Sequence, residues 1–311
     1  MPSNPIFTNW QANNAALWGH QPICMQHRLS ESPLLSLPAL AGIIENYPRK
    51  HYSVIHMGSQ GTARRFWREG DLAGLSGGEV LEAISNGRLW LNLRQLNQVD
   101  HRFAELLKAM FDEFHERVPG FETFRHGCGI LISSPGAQVY YHADLPGQML
   151  MQIIGRKRLY VYPPQRPFIT PELLEHIAVS GLEVDVLYQQ WYDDYARIYD
   201  LEPGQFVYWP HMAPHRIENR DCLNVSMTLE FSSDAIRRAY IVNMANGILR
   251  YRLGLTPRSQ TTSGPPFWAK AALQKLMRNS PKLRARKAAQ RKIEFHLDRV
   301  HPGAIVELSS R

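Results

Sequence analysis

Between residues 121 and 232 short apolar runs recur, each closed by a turn: ILIS (130–133), QMLMQII (148–154), KRLYVYP (157–163), QFVYWP (205–210) and NVSMTLEF (224–231). Runs of this length are strand-sized, and Pro203-Gly204, ahead of the fourth, carries the signature of a type II turn. Many short strands with Gly and Pro between them make a sandwich or a barrel, not a parallel α/β sheet. One stretch, 165–200, interrupts the series with a short helix expected at 171–178 and the aromatic, acidic run YQQWYDDY at 188–195.

The flanks read differently. Residues 79–86 predict a short helix ending near Gly87, and LWLNL (89–93) alternates like a strand. From 101 to 117 apolar residues recur at helical spacing, at Phe103, Leu106, Leu107, Met110, Phe111 and Phe114, until Pro119-Gly120 stops the helix. After Phe231 the chain returns to helix: Ser232-Ser233-Asp234 supplies caps, and Ile236, Tyr240, Val242, Met244, Ile248 and Leu249 supply apolar faces. A linker at 255–266 and two more helices, 267–279 and 281–297, complete the expectation. The division is an N-terminal helix and strand segment (1–120) packing on a core, the strand-rich core (121–232, insertion 165–200), and a C-terminal helical region (233–311).

Charge is concentrated in one place. The net charge is +7, but nine basic residues and no acid lie between Lys270 and Lys292, so the remainder sums to −2. The segment 270–292 is a candidate for docking on an anionic partner. The apolar runs fall far short of the roughly 20 residues that a membrane helix needs. MPSNPIFTNW has no basic segment followed by an apolar one, so no signal peptide is expected. Cys24, Cys128 and Cys222 form no C-x-x-C pair, which points away from a disulfide framework and towards a reducing cytoplasm.

The residues that carry chemistry sit in YYHADLPGQMLMQIIGRKRLYVYPP (140–164). His142 and Asp144 are two apart, so in a strand both side chains lie on one face and can reach one metal. PHMAPHRIEN (210–219) offers His211 or His215 as a third ligand. Two histidines and a carboxylate on one side of a metal leave positions open opposite; that set suits non-haem iron(II) oxygenases, whereas zinc more often takes thiolates or a third histidine. Lys157, at the start of the strand after a hairpin, is a suitable point charge for the far carboxylate of a dicarboxylate cosubstrate. In NVSMTLEF, Asn224, Ser226 and Thr228 share one face and Val225, Met227 and Leu229 the other, a pattern suited to lining a hydrophilic pocket inside a barrel.

Taken together these segments resemble the JmjC/cupin-like hydroxylases. The matching residues are His142-Ala143-Asp144, Gly155-Arg156-Lys157 leading to Pro163-Pro164, Pro203-Gly204, and His215-Arg216-Ile217-Glu218-Asn219. The resemblance covers about a third of the chain, and its closest spacing is to the asparaginyl hydroxylase branch. It implies a mainly β fold, a double-stranded β-helix (jelly-roll, cupin) barrel with N-terminal α/β elements and C-terminal helices. It also implies Fe(II) held by His142, Asp144 and His215, with 2-oxoglutarate chelating the metal and its distal carboxylate on Lys157. Through it His215 is preferred to His211, Gln148 is placed against the cosubstrate, and Thr228 or Asn224 near the chelating carboxylate. One residue departs from the pattern: Val139 stands where that branch has a threonine that helps bind the distal carboxylate. Tyr141, Asn92 or Trp90 are candidates to replace it.

The activity so implied is hydroxylation of a C–H bond in a protein, RNA or small molecule, with release of succinate and CO2. The 165–200 insertion would form a lid or substrate wall, and the helices after the barrel a homodimer. The competing readings are a metal- or ligand-binding cupin acting as a sensor, and a structural or nucleic-acid-binding protein driven by its basic tail.

Overall fold

The computed structural model describes residues 5–57, 68–181, 186–277 and 292–308. The strands in chain order are β1 (Phe7–Thr8), β2 (Ile23–His27), β3 (Tyr52–His56), β4 (Arg68–Asp71), β5 (Leu89–Leu93), β6 (Phe124–Ser133), β7 (Gln138–His142) and β8 (Gly147–Ile154). They continue as β9 (Lys157–Val161), β10 (Arg197–Leu201), β11 (Gln205–Tyr208), β12 (His215–Asn219), β13 (Asn224–Ser232), β14 (Ile293–Leu297) and β15 (Ile305–Glu307). Eleven of them form a large sheet in the order β1-β2-β11-β8-β13-β6-β5-β3-β4-β14-β15, and four a smaller one, β10-β9-β12-β7. This is the mainly β, cupin-like barrel with flanking helices.

Strand parity decides which side chains meet. In β13, Val225, Met227, Leu229 and Phe231 join the largest apolar cluster, with Phe103, Met110, Phe111 and Phe114 of the helix His101–Arg117 and with Val80 and Ile84 of the helix Gly77–Asn86. The opposite face of the large sheet looks at the small one. Between them Leu150, Val207 and Trp209 pack on Leu159, Val161, Leu201 and Ile217, which makes the inside of the barrel. Removing these side chains from water is the main force that closes the two sheets on each other.

β8 and β9 are not the hairpin expected before Lys157, because they lie in different sheets; the turn that carries the chain from one sheet to the other is at Gly155, whose φ is +76° and where a Cβ would stand 2.2 Å from the Leu223 carbonyl oxygen. Only glycine meets both conditions without strain, and this turn places Lys157 at the start of β9.

Several elements differ from the sequence expectation. Residues 5–120 contribute five strands to the large sheet itself: β2 pairs with β11, and β5 pairs with β6. The strand β10 occupies the end of the 165–200 stretch and pairs with β9, so its alternating RIYDL belongs to the small sheet. The helix expected over 281–297 is corrected at its C-terminal end, where Ile293–Leu297 is a strand paired parallel with β4. Phe295 and Leu297 are buried on one face, and the Phe295 ring lies where a Cβ on Gly70 would be, so a period of two outweighed the helix-forming composition upstream. Of the nine residues of the basic segment, Lys270, Lys275 and Lys292 are described and the others lie outside the described residues.

The insertion covers the outer face of the small sheet. Tyr141, Tyr160 and Tyr162 pack there with Phe168, Ile177, Val186 and Tyr192. The helix Pro171–Ser180 also packs on the C-terminal helix Asp234–Leu253 through Ala178, Val179, Met244 and Ile248. Among the described residues no helix is long and apolar enough to cross a membrane.

Candidate metal centre

His142 ends β7 and His215 begins β12, and the two are register partners in neighbouring strands. Their rings come within 4.2 Å, centroid to centroid. Each imidazole is fixed by its other nitrogen: His142 Nδ1 lies 2.7 Å from the Tyr140 carbonyl and His215 Nδ1 3.1 Å from that of Ala213. A carbonyl can only accept, so each Nδ1 carries the proton and each Nε2 is left with its lone pair. Both Nε2 atoms face Asp144, with Oδ2 3.3 Å from His215 and 4.0 Å from His142. Asp144 is not on the strand, as its spacing from His142 had suggested; β7 stops at His142, and the loop after it turns the carboxylate back. Among the described residues these three form the one group of metal-ligating side chains whose ligand atoms lie within 4.8 Å of one another.

The electrostatics fit a divalent cation. Burial, and His142 after it, pushes the His215 imidazole well below its ordinary value. Burial raises the Asp144 carboxyl, with His142 pulling the other way. Three ligand side chains are thus held close together, with ligand atoms within 4.8 Å of one another, an arrangement that a bound metal ion completes. The buried Trp209 ring lies tilted 4.6 Å from that of His215 and helps keep water out.

His211 takes another role. It stands 2.8 Å from the Leu145 carbonyl, tying two loops together, and is not in the cluster.

The remaining expected residues fall at different depths. At the metal end, Gln148 donates to Glu230, which sits opposite it on β13. Glu230 lies at the rim, its residue partly in solvent, and its carboxyl is pushed up first by burial and then by Asp144. Thr228 lies one inward position deeper, opposite Leu150 and Gly129. Asn224 is deeper again: its Oδ1 accepts from Gln152 and its Nδ2 donates to the Cys222 carbonyl, so its amide is engaged away from the chelating end. Tyr141 points outward and donates to the Phe168 carbonyl, while Trp90 and Asn92 lie on β5 beside Ser133 and Leu131.

Lys157 is at the far end. It is opposite Asn219 on β12, and His215 is four residues away along that strand, roughly 13 Å at strand rise. Leu159 and Ile217 line the wall between the two ends. The lysine is 1% exposed, its Nζ has no hydrogen-bond partner among the described residues, and burial pushes its ammonium down to about 7. A buried ammonium without a partner is costly unless something anionic arrives. Asn219 closes the His215–Asn219 motif, but nothing in the sequence set it beside Lys157, and Ser133 did not stand out, because a serine ending an apolar strand carries no motif of its own.

Residues 78–234, just over half of the chain, match the cupin-like domain family. This chain belongs to the cupin-like domain family. It is 32% identical over 137 residues to tRNA wybutosine-synthesizing protein 5 of Danio rerio, and that match spans 40% of this chain and 40% of the zebrafish protein. Among solved structures, ycfD of Escherichia coli superposes with a TM-score of 0.52 at 16% identity, over 89% of this cupin-like chain and 70% of that one. YcfD described as a ribosomal oxygenase, in complex with cobalt and 2-oxoglutarate, gives a TM-score of 0.49 at 18% identity, over 90% and 70% of the two chains. The superposition on ycfD, at 16% identity, shows a shared fold.

Proposed function

We propose that this protein is an Fe(II)- and 2-oxoglutarate-dependent dioxygenase that hydroxylates a C–H bond of a protein, RNA or small molecule. The observation that carries the reading is the pairing of two features inside one barrel. A His–Asp–His cluster stands at one end, and a buried lysine without a partner stands at the other, with apolar walls between. A chelating dicarboxylate is the kind of molecule that needs both ends at once.

His142, Asp144 and His215 would hold the iron through Nε2, a carboxylate oxygen and Nε2. With iron(II) and 2-oxoglutarate bound, the centre would supply oxygen chemistry that converts the cosubstrate to succinate and CO2 as the substrate is hydroxylated. The chain's own part is positional. The Tyr140 and Ala213 carbonyls keep both imidazoles aimed, Leu150, Leu159 and Ile217 would exclude water along the cosubstrate, and Lys157 would neutralise its distal carboxylate. Gln148 and Thr228 would line the cosubstrate nearer the metal, and Asn224 would brace the floor. The insertion would form the substrate wall. Arg216, one residue past His215, is held there by Asp193 at 2.6 Å and lies 3.5 Å over the Tyr160 ring, which couples wall to metal strand.

Exposed Leu253 on the helix Asp234–Leu253, and Trp268 and Leu276 on the helix Gly264–Met277, support a homodimer through that region, testable by sedimentation equilibrium.

The decisive experiment is an anaerobic optical titration of apo-protein with Fe(II) and then 2-oxoglutarate. The weak visible band of the chelate is expected in wild type, absent in Asp144→Ala, and displaced to much higher 2-oxoglutarate in Lys157→Ala. A folded, iron-loaded wild type with no band would instead favour a metal-binding sensor.

A further inference from the structure

The barrel has a polar floor at the Lys157 end. Gln152, Asn224 and Ser226 are fully buried there, and Ser133 and Asn219 nearly so. Three of these satisfy one another: Ser226 donates to Gln152 Oε1 at 2.7 Å, and Gln152 Nε2 donates to Asn224 Oδ1 at 2.8 Å. The other side of the floor is unfinished. Asn219 faces Lys157 across the β9–β12 pair, where opposite side chains stand about 5 Å apart. Its Nδ2 donates to Ser133 Oγ and to the Ser134 carbonyl, both at 2.8 Å. The carbonyl can only accept, so the amide orientation is settled, and Ser133 takes the bond as acceptor. The Ser133 hydroxyl hydrogen is then left to be donated, and among the described residues no hydrogen bond from it is formed. Asn219 links this hydroxyl to the lysine end: it bonds Ser133 and is the register partner of Lys157, whose ammonium has no hydrogen-bond partner among the described residues. Val139, which packs among apolar side chains, offers no donor.

We infer that Ser133 donates its hydroxyl hydrogen to the distal carboxylate of 2-oxoglutarate alongside Lys157, with Asn219 as the positioning residue that aims it. The inference rests on the function proposed above. It makes Ser133 a determinant of dicarboxylate selectivity: the lysine supplies charge, and the hydroxyl supplies direction, set by a bond that crosses from the small sheet to the large one.

The test uses full-length, Mn(II)-loaded protein, which does not turn over, and calorimetric titration with 2-oxoglutarate and with 2-oxobutyrate. The two ligands share the chelating end and differ in the distal carboxylate. Ser133→Ala is expected to weaken 2-oxoglutarate roughly tenfold or more, the scale of a hydrogen bond to a charged group, with 2-oxobutyrate unchanged. Ser133→Thr, which keeps the hydroxyl, is expected to restore most of the difference. Asn219→Ala is expected to weaken 2-oxoglutarate alone, and to add little on top of Ser133→Ala because the two act through one bond. An unchanged preference for 2-oxoglutarate in Ser133→Ala overturns the inference, as does an equal loss for both ligands, which a merely structural serine would give. A wild type that binds Mn(II) but not 2-oxoglutarate overturns the parent reading, and this one with it.

Discussion

Two imidazoles in this barrel are fixed in one tautomer by backbone carbonyls, and a third titratable group, Lys157, is held where its charge is disfavoured. At the residue scale the lysine makes a prediction with a definite sign. Its ammonium is pushed down to about 7 in the free protein, so above that pH it is mostly neutral. A carboxylate arriving beside it favours the charged form and raises it again. Binding of 2-oxoglutarate is therefore expected to take up close to one proton at pH 8, and affinity to fall by about tenfold per pH unit above 7 and level off below it. Calorimetry in buffers of different ionisation enthalpy measures this directly, and Lys157→Arg, always charged, should abolish the uptake. The same shift acts on folding. The unfolded chain holds a proton that the folded chain does not, so the free protein should gain stability as pH rises from about 7 towards the ordinary lysine range.

At the scale of elements, the turn from β8 in the large sheet to β9 in the small one is the part on which the far end of the site depends. Gly155 takes a positive φ against the Leu223 carbonyl, and the strand it launches begins with Lys157. Gly155→Ala is expected to cost at least about 1 kcal/mol, the scale for a strained non-glycine residue, and to weaken 2-oxoglutarate more than Mn(II). Urea denaturation midpoints read the first effect and ligand titrations the second. The strands in this region were legible because their residues alternate: β13, with Asn224, Ser226 and Thr228 on one face, was readable as a pocket wall. The short β1, the strand β2 and the C-terminal β14 were not, because nothing local distinguishes a two- to five-residue run with a distant partner from a loop or a frayed helix.

At the scale of the molecule, the N-terminal segment is part of the barrel's sheet. The Phe7 ring packs 4.4 Å from that of Phe114 and edge-on 5.0 Å from that of Phe206, while β2 pairs with β11. His27 on β2 sits 3.1 Å from the Gln152 carbonyl at the pocket floor. Removing residues 1–28 would delete buried Phe7, Ile23 and Met25 at about 2–5 kcal/mol each, against a typical domain stability of about 5–15 kcal/mol. The truncated chain is expected to lose its cooperative thermal transition by circular dichroism; a sharp melt close to that of the full chain would show that the barrel stands without β2. By itself the sequence determined the period-two core, the positions of the Gly and Pro turns and the chemical types at His142, Asp144, His215 and Lys157, since these depend on local spacing and on what each side chain can donate; that those turns pass from one sheet to the other was not legible. Only the tertiary structure decided that Asp144 reaches back from a loop, that Tyr141 faces outward, and that Asn219 hands a hydrogen bond across the barrel to Ser133. Those relations depend on which strand lies next to which and on how far a loop turns, and pairing between distant segments leaves no periodic trace in either one.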